Sequence, residues 1–270
     1  MTSTTLRLSS SGAQVACHVA GDGPLLVLIH GVGMNASVWH PQIDALQKRN
    51  RVIAVDLPGH GGSDPLPPQS KLPRYVAWLR EAIVTLDIGP ANIVGHSMGA
   101  LIAGGMACTH PELVSRAALL NGVFRRSAAA RAAVEARADE IAHGTFDIST
   151  PLKRWFGDSE TDIAAKTHVQ RLLSEVSPEG YATAYRAFAK GDTTYADRFN
   201  HIRCPLLALT ADGDANSTPE MSHAMAAAAP FGQSVIVKGH RHMVNLTAPE
   251  AVNAALKAWL KLPVTEEVPS

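Results

Sequence analysis

Ile93-Val94-Gly95-His96-Ser97-Met98-Gly99-Ala100 decides how this chain is read. Two β-branched residues close an apolar run, a serine follows between two glycines at GxSxG spacing, and the residues after it are helix-forming. A serine on so sharp a strand-to-helix turn is forced into strained backbone. The flanking glycines are required because a Cβ there would collide with the neighbouring strand or helix. The turn exposes the hydroxyl beside a helix N-terminus, whose unpaired N–H groups and partial positive charge stabilise a developing anion. Ser97 is thus the candidate nucleophile, and the Met98 amide one candidate oxyanion donor.

Around this turn, apolar β-rich runs alternate with segments of helical period, the pattern of an α/β protein with a mainly parallel sheet. Leu25 to Ile29, Val52 to Val55, Asn92 to Val94, Ala117 to Leu120, Leu206 to Thr210 and Ser234 to Val237 each read as a strand buried on both faces. Gln14 to Ala20 reads as an antiparallel edge strand. Val38 to Leu46, Pro73 to Leu86, Met98 to His110, Pro219 to Ala228 and Pro249 to Lys261 read as helices. From Phe124 to Arg198 no strand-like run occurs, only alanine-rich, charged sequence of helical period. The expected organisation is a core of residues 1–122 and 199–270 with a helical cap, 123–198, inserted between two strands. Val264 to Ser270 reads as a frayed end.

A serine hydroxyl needs a base at neutral pH, and the base needs a partner that holds its tautomer. Of twelve histidines, His242 follows the last strand and precedes the last helix, where this architecture needs the base. His240 is expected to point elsewhere, and His60, in Pro58-Gly59-His60-Gly61, is expected on a turn far from the nucleophile strand. Asp212 and Asp214 both follow the strand Leu206 to Thr210. Asp214 is favoured because Asp214 to Pro219 leads into a capped helix that holds it at the turn, whereas Asp212 can be solvated. The order Ser, Asp, His is the order this arrangement imposes. His30-Gly31-Val32-Gly33 follows the strand Leu25 to Ile29, which makes the Val32 amide the second expected oxyanion donor and gives the His30 side chain a bracing role.

Composition narrows the ligand. Lysine plus arginine number 24 and aspartate plus glutamate 24, with no run of like charge, so nothing draws the chain to nucleic acid or an anionic membrane. The polar start lacks a signal-peptide pattern, and no apolar run is long enough to cross a bilayer; a soluble cytoplasmic protein is expected. Cys17, Cys108 and Cys204 form no CxxC pair and lie near no histidine at zinc-finger spacing, so neither a disulfide framework nor a metal is expected. No cofactor is called for, and the expected partner is a small molecule.

Four ordered motifs together resemble the α/β-hydrolase superfamily along nearly the whole chain: His30 to Gly33, Arg51 to Ser63, Gly95 to Gly99, and Gly239 to Asn245. Within it the chain looks most like the 3-oxoadipate enol-lactonase and carboxylesterase group, helped by Ser177-Pro178-Glu179-Gly180-Tyr181. The resemblance implies catalytic Ser97, Asp214 and His242, with oxyanion amides at Val32 and Met98. It argues against haloalkane dehalogenases and epoxide hydrolases, which carry aspartate where this chain has Ser97. The expected reaction is hydrolysis of a small carboxylic ester or lactone through an acyl-enzyme. A carbon–carbon hydrolase of vinylogous diketones, a perhydrolase and a ligand-binding protein on the same fold are the alternatives. For the pocket, Trp39, Phe124, Trp155 and Tyr185 are candidate wall residues, against the simpler reading that such aromatics pack a core. Arg125 or Arg126 is a candidate partner for a substrate carboxylate.

Overall fold

The structure, a computed structural model, describes residues 2–87, 89–145 and 147–264. Eight strands form one sheet: β1 (Thr2–Arg7), β2 (Gln14–Ala20), β3 (Leu25–Ile29), β4 (Arg51–Val55), β5 (Ala91–His96), β6 (Val114–Leu120), β7 (Leu206–Ala211) and β8 (Gly232–Val237). Their order is β1-β2-β4-β3-β5-β6-β7-β8. The first two run antiparallel and β3 to β8 are parallel.

That order positions the site. From β3 the chain crosses to β4 on one side and returns to β5 on the other, so the loops leaving β3 and β5 diverge and open a crevice at the carboxyl ends of the strands. Register aligns Ile29 with both Val55 and Gly95, and His96 with Leu120. The residues that follow these strands, His30 to Gly33, Ser97 and Asn121, are therefore brought to one edge of the sheet.

The helices are α1 (His40–Leu46), α2 (Leu72–Leu86), α3 (Met98–Thr109), α4 (Ala128–Ala142), α5 (Ser149–Trp155), α6 (Glu160–Glu175), α7 (Pro178–Ala189), α8 (Pro219–Ala228), α9 (Val244–Thr247) and α10 (Pro249–Trp259). Helix α1 packs on α10, and α2 on α3. Close approach of α2 and α3 depends on Gly105, where a Cβ would lie 2.6 Å from Val76 Cγ2. Helices α4 to α7 lie between β6 and β7, where the helical cap is expected. Three of them begin at a serine whose hydroxyl accepts the amide three residues on: Ser127 from Ala130, Ser159 from Asp162 and Ser177 from Gly180.

Three readings from the sequence need correction. The edge strand is β1, not β2: its Thr2-Ser3-Thr4-Thr5 start is exposed and shows no apolar alternation, although threonine suits a strand. Strand β8 is only half-buried because it closes the other edge. The helix expected from Val38 is a 3-10 turn, Ala36–Trp39, followed by α1, whose first turn accommodates Pro41. Of the end expected to fray, residues 265–270 lie outside the described residues. No described helix is long and apolar enough to cross a membrane.

Candidate active site

Ser97 sits between β5 and α3 with φ 55° and ψ −111°, a conformation outside the wells open to side chains that costs about 1–3 kcal/mol and persists only where its surroundings enforce it. Those surroundings are backbone. A Cβ on Gly95 would lie 2.0 Å from Gly99 O, and one on Gly99 would lie 2.1 Å from Ile29 O. The serine amide donates to Leu120 O at 2.9 Å, which ties the turn to β6. Met98 is the first residue of α3, so its amide belongs to the unpaired first turn of a helix.

The facing loop is just as close. A Cβ on Gly31 would stand 3.1 Å from the Ser97 Cβ. Two buried histidines brace this loop. Leu57 N–H donates to His30 Nε2 at 2.9 Å, so the proton sits on Nδ1, which donates to Gly31 O at 2.7 Å. Gly33 N–H donates to His60 Nε2 at 3.0 Å, and His60 Nδ1 donates to Pro58 O at 3.1 Å. The two rings lie 5.5 Å apart. Burial pushes His30 down to about 4 and His60, also facing His30, down to about 3, so both are neutral at physiological pH. His30 braces as expected. His60 was expected far from the site, but the crossover brings the end of β4 beside β3 and places its ring against the same loop.

His242 and Asp214 are both buried, with Nδ1 to Oδ2 at 2.7 Å. Asp214 also accepts from Asn121 Nδ2 at 2.8 Å, the Asn216 amide at 2.8 Å and the Ser217 amide at 3.2 Å. Burial alone would raise its carboxyl pKa. The adjacent His242 and these hydrogen bonds outweigh burial and hold it below the usual carboxylate value. An ionised Asp214 keeps the imidazole proton on Nδ1 and leaves Nε2 as an acceptor. Asp212 is exposed and accepts from the Gly239 amide at 2.8 Å, and His240 pairs with Thr247 Oγ1 at 3.0 Å. The structure thus brings Asp214, and not Asp212, to His242. His96 adds a tie absent from the sequence reading: its Nε2 donates to the His242 carbonyl at 2.8 Å. Burial first, then His242, holds His96 down at about 3.

Ser97, His242, Gly31 and Val32 open onto one cavity of about 700 Å³, walled on the other side by α4, α5 and α7. Trp155 and Tyr185 line it as anticipated, the Trp155 ring 5.5 Å from that of His242 and Tyr185 stacked on Tyr181 at 5.7 Å. The other three pocket candidates do not. Trp39 is fully buried beneath the site, edge-on to His96. Phe124 packs on Phe199 at 5.0 Å beside a separate void of about 20 Å³. Arg125 forms an exposed pair with Asp197 at 2.6 Å. Its neighbour Arg126 points inward and lines the cavity, as do Arg137 and Arg154, which the sequence did not single out. Helical spacing cannot separate a core aromatic from a wall aromatic, and no local signal marks those arginines.

The sequence profile of the Alpha/beta hydrolase family matches residues 26–255. The chain is 50% identical over 261 residues to (E)-2-((N-methylformamido)methylene)succinate hydrolase of Acinetobacter baylyi, covering 97% of this chain and 99% of the relative. It is 29% identical over 243 residues to the putative carbamate hydrolase RutD of Escherichia coli O157:H7, covering 87% of this chain and 90% of the relative. Among solved structures, the enol-lactonase from Burkholderia xenovorans LB400 superposes with a TM-score of 0.85 at 23% identity, covering 96% of this chain and 100% of that one. With a profile spanning most of its length and a half-identical relative aligned end to end, the chain belongs to the alpha/beta hydrolase family and is a hydrolase.

Proposed function

We propose that the chain hydrolyses the acyl–nitrogen bond of an N-acylated aminomethylene succinate, with Ser97 as nucleophile, His242 as general base and Asp214 as its partner. The reading rests on the relative that is 50% identical over 97% of this chain and acts, by its name, on (E)-2-((N-methylformamido)methylene)succinate. That compound is neither ester nor lactone. It carries a carbon–carbon double bond conjugated to a carboxylate, so the carbon–carbon hydrolase alternative, with its vinylogous substrate, stands nearer to it than the ester and lactone reading does, although the bond proposed to break here is acyl–nitrogen.

The chemistry suits a serine triad. In such an enamide the nitrogen lone pair is shared with the double bond and the carboxylate beyond it. Amide resonance weakens, and the acyl carbon becomes more ester-like. Ser97 Oγ attacks that carbon while His242 Nε2 takes the proton, and the oxyanion rests on the Val32 and Met98 amides. The C–N bond then breaks, the nitrogen's electron pair spreads into the conjugated system, and His242 returns the proton to the leaving enamine. Water, activated by His242, releases the acyl group as a carboxylic acid. The enamine tautomerises to an imine, which water converts to an aldehyde and an amine.

Helices α4 to α7 act as the cap, a unit of residues 123–198 that shields the reaction from solvent. Gly59 and Gly180 make one close backbone contact between core and cap, since a Cβ on Gly180 would lie 2.1 Å from Gly59 O. The cytoplasmic reading agrees with three buried free cysteines.

The test is incubation of wild type and Ser97→Ala with (E)-2-((N-methylformamido)methylene)succinate, following formate release and loss of the conjugated absorbance, beside a p-nitrophenyl ester and a vinylogous diketone. Serine-dependent formate release supports the proposal. Cleavage of the diketone alone would replace it with carbon–carbon hydrolysis. Ligand binding without turnover of any substrate would favour a binding protein.

A further inference from the structure

The loop that carries His242 is tied to the core on both sides of Arg241, and Arg241 itself reaches the cap. Gly213 N–H donates to His240 O at 3.0 Å, and His96 Nε2 donates to the His242 carbonyl at 2.8 Å. The peptide between these anchors is therefore fixed relative to the acid loop and the nucleophile turn. From it the half-buried Arg241 side chain passes Gly213, where an added Cβ would stand 3.4 Å from its Cγ, and ends at α5. There its Nη1 donates to Lys153 O at 3.0 Å and to Phe156 O. Lys153 lies in the last turn of α5 and Phe156 just beyond it, where carbonyls lack intrahelical donors. Arg241 has no acidic partner among the described residues and is not part of the cavity wall.

Helix α5 has seven residues and buries only Leu152, with Phe156 buried after it. A short element with so few buried side chains moves easily unless something else holds it. The same end of α5 carries Trp155, whose ring centre is 5.5 Å from that of His242 with the planes at 31°. Asp214 meets the edge of the His242 ring, and neutral His96 lies 5.0 Å from its centre. When Ser97 attacks, its proton passes to His242 Nε2 and the ring becomes a cation, which an indole face within about 6 Å attracts. We propose that Arg241 is a positioning residue that clasps α5 to the base loop, and that Trp155, held there, covers His242 and stabilises the imidazolium. Arg241 and His242 are neighbours in sequence, and Trp155 lies between the two carbonyls that Arg241 holds, so one clasp sets both rings. The inference rests on the Ser97 and His242 roles proposed above and is independent of the acyl compound cleaved.

Rates of Ser97 labelling by a fluorophosphonate, in the intact chain and its variants, test the clasp whatever the substrate. Trp155→Leu is expected to be labelled about tenfold more slowly, the fold-change of a partly desolvated cation–π contact, and Trp155→Phe at an intermediate rate, because indole holds a cation better than a phenyl ring does. Arg241→Met should be slowed by a similar factor. In the Trp155→Leu background it should slow labelling no further, the non-additivity expected when one residue acts through another. Arg241→Lys, whose ammonium still donates to a carbonyl, should recover most of the rate. Trp39, Trp78 and Trp259 are buried and Trp155 is half-buried, so a red shift of tryptophan emission in Arg241→Met that is absent from the double variant reports Trp155 leaving His242. Additive losses, or unchanged emission in Arg241→Met, would overturn the clasp; if that variant does not fold, a rate at position 155 that does not fall from Trp through Phe to Leu overturns it. Equal labelling of Ser97 in every variant removes the clasp and leaves the triad, whereas no labelling of Ser97 in the wild type removes both.

Discussion

Asp214→Asn separates the two acids that follow β7 by a mechanism that can be worked through atom by atom. Asp214 Oδ1 accepts the amides of Asn216 and Ser217, so the replacing amide must keep its oxygen there. Its nitrogen then occupies the position of Oδ2, 2.7 Å from His242 Nδ1 and 2.8 Å from Asn121 Nδ2. A donor at that point requires His242 Nδ1 to accept, which moves the ring proton to Nε2 and removes the lone pair proposed to activate Ser97. The ring is expected to stay in place because Asn121 can turn its own amide: its Oδ1, buried with no hydrogen-bond partner among the described residues, becomes the acceptor, and only the bond of its Nδ2 to Thr210 Oγ1 is given up. Loss of the working tautomer in a triad lowers kcat by about 10⁴-fold, equivalent to about 5.4 kcal/mol of transition-state stabilisation. Asp212→Asn, on an exposed side chain that only holds the Gly239 amide, should change kcat by less than about threefold, as expected of a surface substitution. Steady-state kinetics on a substrate the wild type turns over, with melting curves as the fold control, decide the matter. A folded Asp214→Asn retaining a tenth of wild-type kcat, or a larger loss in Asp212→Asn, would refute the tautomer reasoning.

Asn121→Ala removes a hydrogen bond to Asp214 and leaves His242 in place, so kcat should fall about tenfold with little change in KM, as a bond to a charged group implies; an unchanged kcat would remove Asn121 from the positioning of the acid. Gly180→Ala forces the backbones of α7 and the Gly59 loop apart and should lower stability by about 1–3 kcal/mol while raising KM more than it lowers kcat, as read from denaturant titration and kinetics. Buried His30, His60 and His96 have folded-state values of about 4, 3 and 3, below the ordinary 6.5, so the unfolded chain binds more protons and stability is lost as pH falls below about 6.5. Between pH 7 and pH 5 this amounts to about 2 kcal/mol per histidine, or roughly 6 kcal/mol together; urea unfolding that is flat across that range would contradict their burial as neutral rings.

What was readable in the sequence was what neighbouring residues fix. The turn at Ser97 was legible because its strand, its two glycines and its helix are contiguous. Asp214 was legible because the loop into Thr218 and Pro219 constrains it locally, with Thr218 capping α8 as that loop suggests. Arg125 and Arg126 mark where such reading stops. Adjacent in sequence, they point to opposite sides because Asp192, 66 residues on, captures the Arg126 amide and guanidinium. Trp39 illustrates the same limit, since its spacing fits a wall or a core and only the sheet beneath it decides. His60 required the strand order, which places β4 beside β3, before its distance from the site could be judged.

Labelling with a fluorophosphonate, followed by peptide mapping, addresses the central claim most directly. A stoichiometric adduct is expected on the peptide that contains Ser97 in the wild type, with none in Ser97→Ala and labelling slowed about 10³-fold or more in Asp214→Asn. An adduct on another residue, or wild-type protein that turns over substrate yet is neither labelled nor inhibited, would contradict a Ser97 nucleophile activated by His242 and Asp214.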